Sequence, residues 1–178
     1  MKRVWSFLLV AVLALSLCAC RATKEDLKIY VVPGEKVTRT MGDEAILDVA
    51  RKSGRIAFTG QDIAGWLWEE HRVQLKDISV TGKAGDGGSA LFQAGPNDLF
   101  VLVLGGRTVY VGGFAPATGA VKAARSPYIQ DGADDTFYLK IDRKNAEGRD
   151  PRADAKLYDY LAEQQLLVSA IQPLGEAE

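Results

Sequence analysis

His71 is the only histidine in the chain, and Cys18 and Cys20 are its only cysteines. Hydrolysis by a Ser-His-Asp set needs an imidazole beside an activated hydroxyl. His71 is the one imidazole available, and no G-x-S-x-G elbow presents a serine to it. A histidine-and-cysteine zinc centre takes about four ligands and cannot be assembled around one imidazole. No catalytic residue, metal ligand set or cofactor is therefore assigned. His71 is expected to end a helix as a partly exposed polar side chain.

Two further stretches invite a chemical reading. Gly82 to Ser89 reads GKAGDGGS. A phosphate-binding loop needs Gly-Lys-Ser/Thr opening a helix after a strand. Here Lys83 comes early and no helical pattern follows Ser89, so a mobile turn is expected. Asp131, Asp134 and Asp135 lie in QDGADDT, with Asp142 downstream. Calcium takes several oxygen ligands, but the spacing is not that of an EF-hand loop and its closing glutamate is missing. A solvated acidic turn is the plainer expectation.

Trp66 and Trp68 sit in a stretch, Gln61 to about His71, that the spacing predicts to be a helix. On a helix, residues two apart point roughly 200° apart. Trp66 then joins Ile63 and Leu67 in a core stripe, and Trp68 lies beside Ala64 and His71. Such a helix either buries both rings between two layers or presents Trp68 at the surface. In the second case Trp68 and His71 form a candidate patch for a partner, a ligand or a headgroup layer.

The N-terminus carries the most specific signal. Lys2 and Arg3 precede an uncharged run of fourteen residues, Val4 to Leu17. That suits the apolar region of an export signal, roughly 7 to 15 residues, better than a membrane span of about 20. Leu17-Cys18-Ala19-Cys20 follows. It resembles the lipobox of bacterial lipoproteins, with Leu at −3, small residues at −2 and −1, then the cysteine. Counted from Cys18, the bulky Leu17 would stand at −1, so the resemblance selects Cys20. It implies that residues 1 to 19 are removed and that the Cys20 thiol carries a diacylglyceryl thioether. Stable anchoring takes more than one chain, and such a group supplies it. Arg21 follows Cys20, whereas inner-membrane retention in enteric bacteria usually uses Asp there. The resemblance thus implies the outer membrane, facing the periplasm, if the cell has two membranes.

Removing Lys2 and Arg3 from the 22 basic residues leaves 20 against 23 acidic ones, a net charge of −3. There is no basic field for nucleic acid and no polybasic membrane patch. Arg21 to Glu25 is the only linker before the first strand. Five extended residues reach roughly 17 Å, so the domain is held close to the headgroups.

The elements that position these residues follow from pattern. Leu27 to Val31 alternates as a half-buried strand does, and Pro33-Gly34 ends it. Gly42-Asp43-Glu44 opens a helix with the apolar stripe Ala45, Ile46, Val49 and Ala50, stopped at Gly54. Arg55 to Thr59 is a strand, Val73 to Thr81 is extended with a bulge at Lys76-Asp77, and Ser89 to Gln93 is a further strand. Leu99 to Leu104 and Arg107 to Val111 flank Gly105-Gly106 as a hairpin, and its all-apolar first strand is expected to be central. Ala115 to Gln130 is expected to be irregular, and Thr136 to Ile141 to be a strand. Asp150-Pro151 reads as the start of a last helix carrying Leu157, Leu161, Val168 and Ile171. The expected fold is α+β: residues 26–178 as one domain, a mainly antiparallel sheet with a central Gly-Gly hairpin and about three packed helices. The expected role is non-catalytic binding or assembly in the cell envelope, with a protein, glycan or lipid partner. The alternatives are an envelope hydrolase working from carboxylates and a small-ligand-binding module.

Overall fold

The structure, a computed structural model, describes residues 26–76, 89–115, 125–133, 135–142, 150 and 152–171. It corrects the expected fold class. The domain is mostly sheet: eight strands curl into a nearly closed barrel, with two α-helices among the described residues. The strands are β1 Leu27–Val32, β2 Arg55–Thr59, β3 Ile63–Leu67, β4 Arg72–Leu75, β5 Leu99–Leu104, β6 Arg107–Ala115, β7 Tyr128–Asp131 and β8 Thr136–Lys140. The helices are α1 Asp43–Ser53 and α2 Ala155–Glu163. The order is β2-β1-β5-β6-β7-β8-β4-β3, antiparallel at every step except β6 to β7.

Closure follows from one continuous segment. β2 and β3 are separated only by the turn Gly60–Asp62, yet they stand at opposite ends of the strand order. The first half of the segment pairs with β1 and the second with β4, so the chain itself joins the two edges. The kink between them is a capping box. Asp62 Oδ2 accepts from Thr59 N at 2.7 Å, and Thr59 Oγ1 accepts from Gln61 N at 3.3 Å. They cap a single 3-10 turn, and the stretch Gln61 to His71, expected to be a helix, runs on as β3 and the turn that follows it. Ile63, Trp66 and Leu67 fit a helical i, i+3, i+4 spacing, but Gly65 disfavours a helix interior and aromatic residues suit a pleated strand. A bulge between Ile63 and Gly65 reconciles that spacing with strand pairing.

The continuous apolar run of β5 is explained by two separate covers. Phe100, Leu102 and Leu104 point into the barrel, while Leu99, Val101 and Val103 lie under α1. There α1 lays Ile46, Leu47 and Ala50 on the outer wall. Gly105 and Gly106, both at positive φ (58° and 78°), make the tight turn into β6 that a side chain would strain. The hairpin occupies the middle of the sheet.

Each end of the barrel is plugged. At the end where β1 begins, α2 drives Leu157 and Leu161 into the interior cluster. Burying two such side chains contributes about 1.5–3 kcal/mol each. At the end where β2 begins, the turn Ser89–Ala94 inserts Phe92 and Ala94. The Arg55 guanidinium donates to the Phe92 carbonyl there.

Four more expectations are corrected. Ser89–Gln93 is this turn, fixed by side chains, and not a strand. Tyr128–Asp131 is a strand that takes in the last three residues of the stretch, Ala115 to Gln130, expected to be irregular; four residues are too few to show a period. The last helix starts at Ala155, capped by Asp154 Oδ1 on Leu157 N at 2.9 Å, while Asp150 instead caps Arg152 N. It ends at Glu163, and Gln165 at φ 57° turns the chain so that Leu166 and Val168 run beside β3. The extended stretch beyond Lys76, the glycine-rich turn before Ser89, Asp134 and the whole of residues 1–25, Cys20 included, lie outside the described residues.

Candidate functional site

The hairpin of β3 and β4 ends in the four-residue turn Trp68–His71. His71 sits at φ 50°, a left-handed conformation that histidine tolerates better than most residues. Its N–H donates to the Trp68 carbonyl at 3.1 Å, and its carbonyl accepts from Leu139 N at 2.9 Å. These bonds fix the ring against Trp68, with centroids 5.6 Å apart at 61°. On a strand, residues two apart share a face. Trp66 and Trp68 are therefore neighbours, 6.3 Å between rings, and do not point apart as on a helix.

Across the same end comes α2. Its Tyr158 ring meets Trp68 edge-on at 5.1 Å. Trp66 is buried at 1% exposure, Trp68 and His71 are half-buried, and Tyr158 is 43% exposed. The result is a graded aromatic stack running from core to solvent. Glu69 and Glu70, in the same turn as Trp68 and His71, and Asp159, next to Tyr158 in the chain, are exposed.

Behind the stack lies a charged layer. Arg152 is clamped by Asp150 at 2.7 Å and donates to the Leu139 carbonyl at 2.8 Å. Arg107 pairs with Asp154 through two nitrogens, at 3.0 and 3.2 Å. The hydrogen bond from Arg152 holds the Asp150 carboxyl below its usual range. Burial works against ionisation of Asp154, but its bonds to Arg107 and Leu157 outweigh it and its pKa is lowered. Burial also lowers the His71 pKa, and the Arg152 charge adds to this while Asp150 opposes it. The imidazole is thus kept neutral, and its Nδ1 has no hydrogen-bond partner among the described residues. The Tyr110 hydroxyl, within the field of Arg152, Asp154 and Asp150, is buried without a partner as well. Burial pushes its ionisation far above the ordinary phenol range.

The arrangement offers apolar ring surface and fixed charge pairs. Among the described residues it sets no hydroxyl against His71 Nδ1. In the acidic turn, Asp131 has a structural use. Asp131 accepts from Ser89 Oγ at 2.5 Å, Ala90 N at 2.8 Å and Leu91 N at 3.3 Å, and so secures the Phe92 plug. Among the described residues no group of three or more histidine, cysteine or carboxylate side chains is placed to hold a metal. Nor is any described helix long and apolar enough to cross a membrane.

Trp68 and His71, singled out in the sequence, are in ring contact. Tyr158 and Arg152 were missed. The one available signal for Tyr158 was an aromatic residue lying off the Leu157–Leu161 stripe. No protein-family model matches the sequence, no curated protein is similar to it, and no solved structure matches the fold.

Proposed function

We propose that the chain is a lipid-anchored envelope protein that works by binding, with Trp68, His71 and Tyr158 as its contact surface. The anchor is Cys20, and the Arg21 that follows it supports an outer-membrane place facing the periplasm in a cell with two membranes. The observation that carries the binding role is the stack from buried Trp66 through Trp68 to exposed Tyr158. Aromatic anchors held rigid by packing and surrounded by a polar rim are the usual energetic centre of an interface. The exposed carboxylates Glu69, Glu70 and Asp159, chain neighbours of these aromatic residues, favour a protein partner with basic or hydrogen-bond-donating groups over an anionic bilayer.

A binding role is preferred to hydrolysis because the carboxylates with defined partners serve the fold. Asp62 caps a turn and Asp154 the helix α2, Asp98 receives Gly34 N and Gly95 N, Asp131 holds a plug, and Asp43 pairs with Arg125. The test is affinity capture of the full lipoprotein from its native envelope, wild type beside Tyr158→Ser. The expected result is a reproducible partner lost with the variant at unchanged melting temperature. A partner retained by both Tyr158→Ser and Trp68→Ala, or no reproducible partner, would overturn the proposal.

A further inference from the structure

A second feature lies at the same end of the barrel, away from the aromatic stack. Between the start of β1, the Gly60–Asp62 turn and α2 is a cleft of about 300 Å³. Asp26, Lys28, Gln61, Lys76, Tyr160 and Gln164 line it. Its floor is fixed by packing. The Tyr160 hydroxyl bonds the Leu27 backbone and rests against Gly60, where any side chain would collide with it.

The lining is rich in donors. Lys28 pairs with Asp26 at 3.4 Å, and Lys76 Nζ donates to the Gln61 carbonyl at 2.9 Å. An ammonium has three donors, so each lysine keeps others for a ligand. Among the described residues the lining holds two lysines and one aspartate, an excess of one positive charge on a chain whose net charge is −1. The volume is at the small end of ligand sites, roughly 300–1,000 Å³. That suits a compact anion and is too small for a folded partner.

Position selects the source. Asp26 lines the cleft, and five residues separate it from Cys20. With a reach of roughly 17 Å, a lipidated Cys20 holds this cleft at the headgroup layer. We propose that the cleft binds the phosphate diester of a phospholipid headgroup, a second contact that orients the domain on its membrane. The membrane source rests on the anchor proposed above. The phosphate chemistry rests on the cleft alone.

The test uses the purified, isotope-labelled full lipoprotein in dodecyl maltoside, titrated in separate arms with glycerophosphoethanolamine and with inorganic phosphate. Amide shifts are followed by NMR. Saturable shifts confined to Lys28, Gln61, Lys76 and Gln164, about tenfold tighter for the headgroup diester than for phosphate, are the expected result. Lys28→Glu with Lys76→Glu abolishes them; if that pair fails to fold, Lys76→Gln weakens binding by about threefold. Equal affinity for both probes assigns the cleft to free phosphate and overturns the headgroup as source. Shifts that do not saturate, that scatter outside the cleft, or that survive the charge changes overturn the site. Mass spectrometry of the mature N-terminus tests the anchor separately, so its failure is distinguishable from failure of the cleft.

Discussion

The two ends of the barrel are closed by different means. At one, the turn Ser89–Ala94 is saturated: one carboxylate, Asp131, takes three hydrogen bonds, Arg55 holds the Phe92 carbonyl, and Phe92 meets Phe58, Phe114 and Phe137 within 6 Å. At the other, α2 covers the opening but leaves Tyr158 exposed, Trp68 half-buried, and His71 Nδ1 and Trp66 Nε1 without partners among the described residues. A stable fold needs its openings closed and its polar groups satisfied. The first end meets both demands. The second meets only the first, and that surplus is where a contact surface is expected.

The largest effect should fall at the saturated end. Asp131→Ala strands two backbone N–H groups and the Ser89 hydroxyl, and should cost about 3 kcal/mol in urea unfolding with no loss of partner capture. Loss of capture at preserved stability would show that the plug end takes part in binding.

A smaller effect separates the ends by pH. His71 has a lowered pKa, so on acidification the unfolded chain takes up the proton first. Stability is therefore full above about 6.5, the ordinary histidine value, and falls as pH drops through that value towards the folded pKa. Asp150 and Asp154, with lowered values, keep their contribution until well below that window. Thermal melts from pH 7.5 to 5.5 should decline for the wild type and flatten for His71→Gln. An unchanged slope in the variant would remove His71 from the account.

The smallest effect is at Tyr110. Its hydroxyl has no hydrogen-bond partner among the described residues, so Tyr110→Phe should shift stability by less than about 1 kcal/mol. A loss of several kcal/mol in the same unfolding assay would mean that the hydroxyl is engaged.

Much of the scaffold is legible in the sequence where one period dominates. β1 alternates, α1 carries its stripe between acidic and glycine ends, and Gly105-Gly106 marks the central hairpin. The β3–β4 hairpin is not legible. Ile63, Trp66 and Leu67 satisfy a helical spacing, and the Thr59–Asp62 box is the same local signal whether a helix or one turn follows. Only pairing with β1 and β4 decides it, and that is tertiary. The plug at Ser89–Ala94 is hidden for a similar reason, since its anchor, Asp131, lies 42 residues beyond Ser89. For the last helix, Asp150 and Asp154 are both good caps, and Pro151 favoured the wrong one. Of the contact surface, Trp68 and His71 stand out by residue type. Tyr158 does not, because only the fold brings α2 to the hairpin.

Tyr158 and Ile56 allow the most direct test of the claim that the α2-capped end is the contact surface. Both are large apolar side chains of similar exposure, 43% and 47%, but Ile56 stands on β2 next to Arg55, towards the end closed by the turn Ser89–Ala94. A photo-crosslinking amino acid placed at position 158 or at position 56 of the full lipoprotein can be activated in the native envelope. The account predicts a discrete adduct from position 158 and none from position 56. An adduct from position 56 alone, or equal adducts from both, would contradict it.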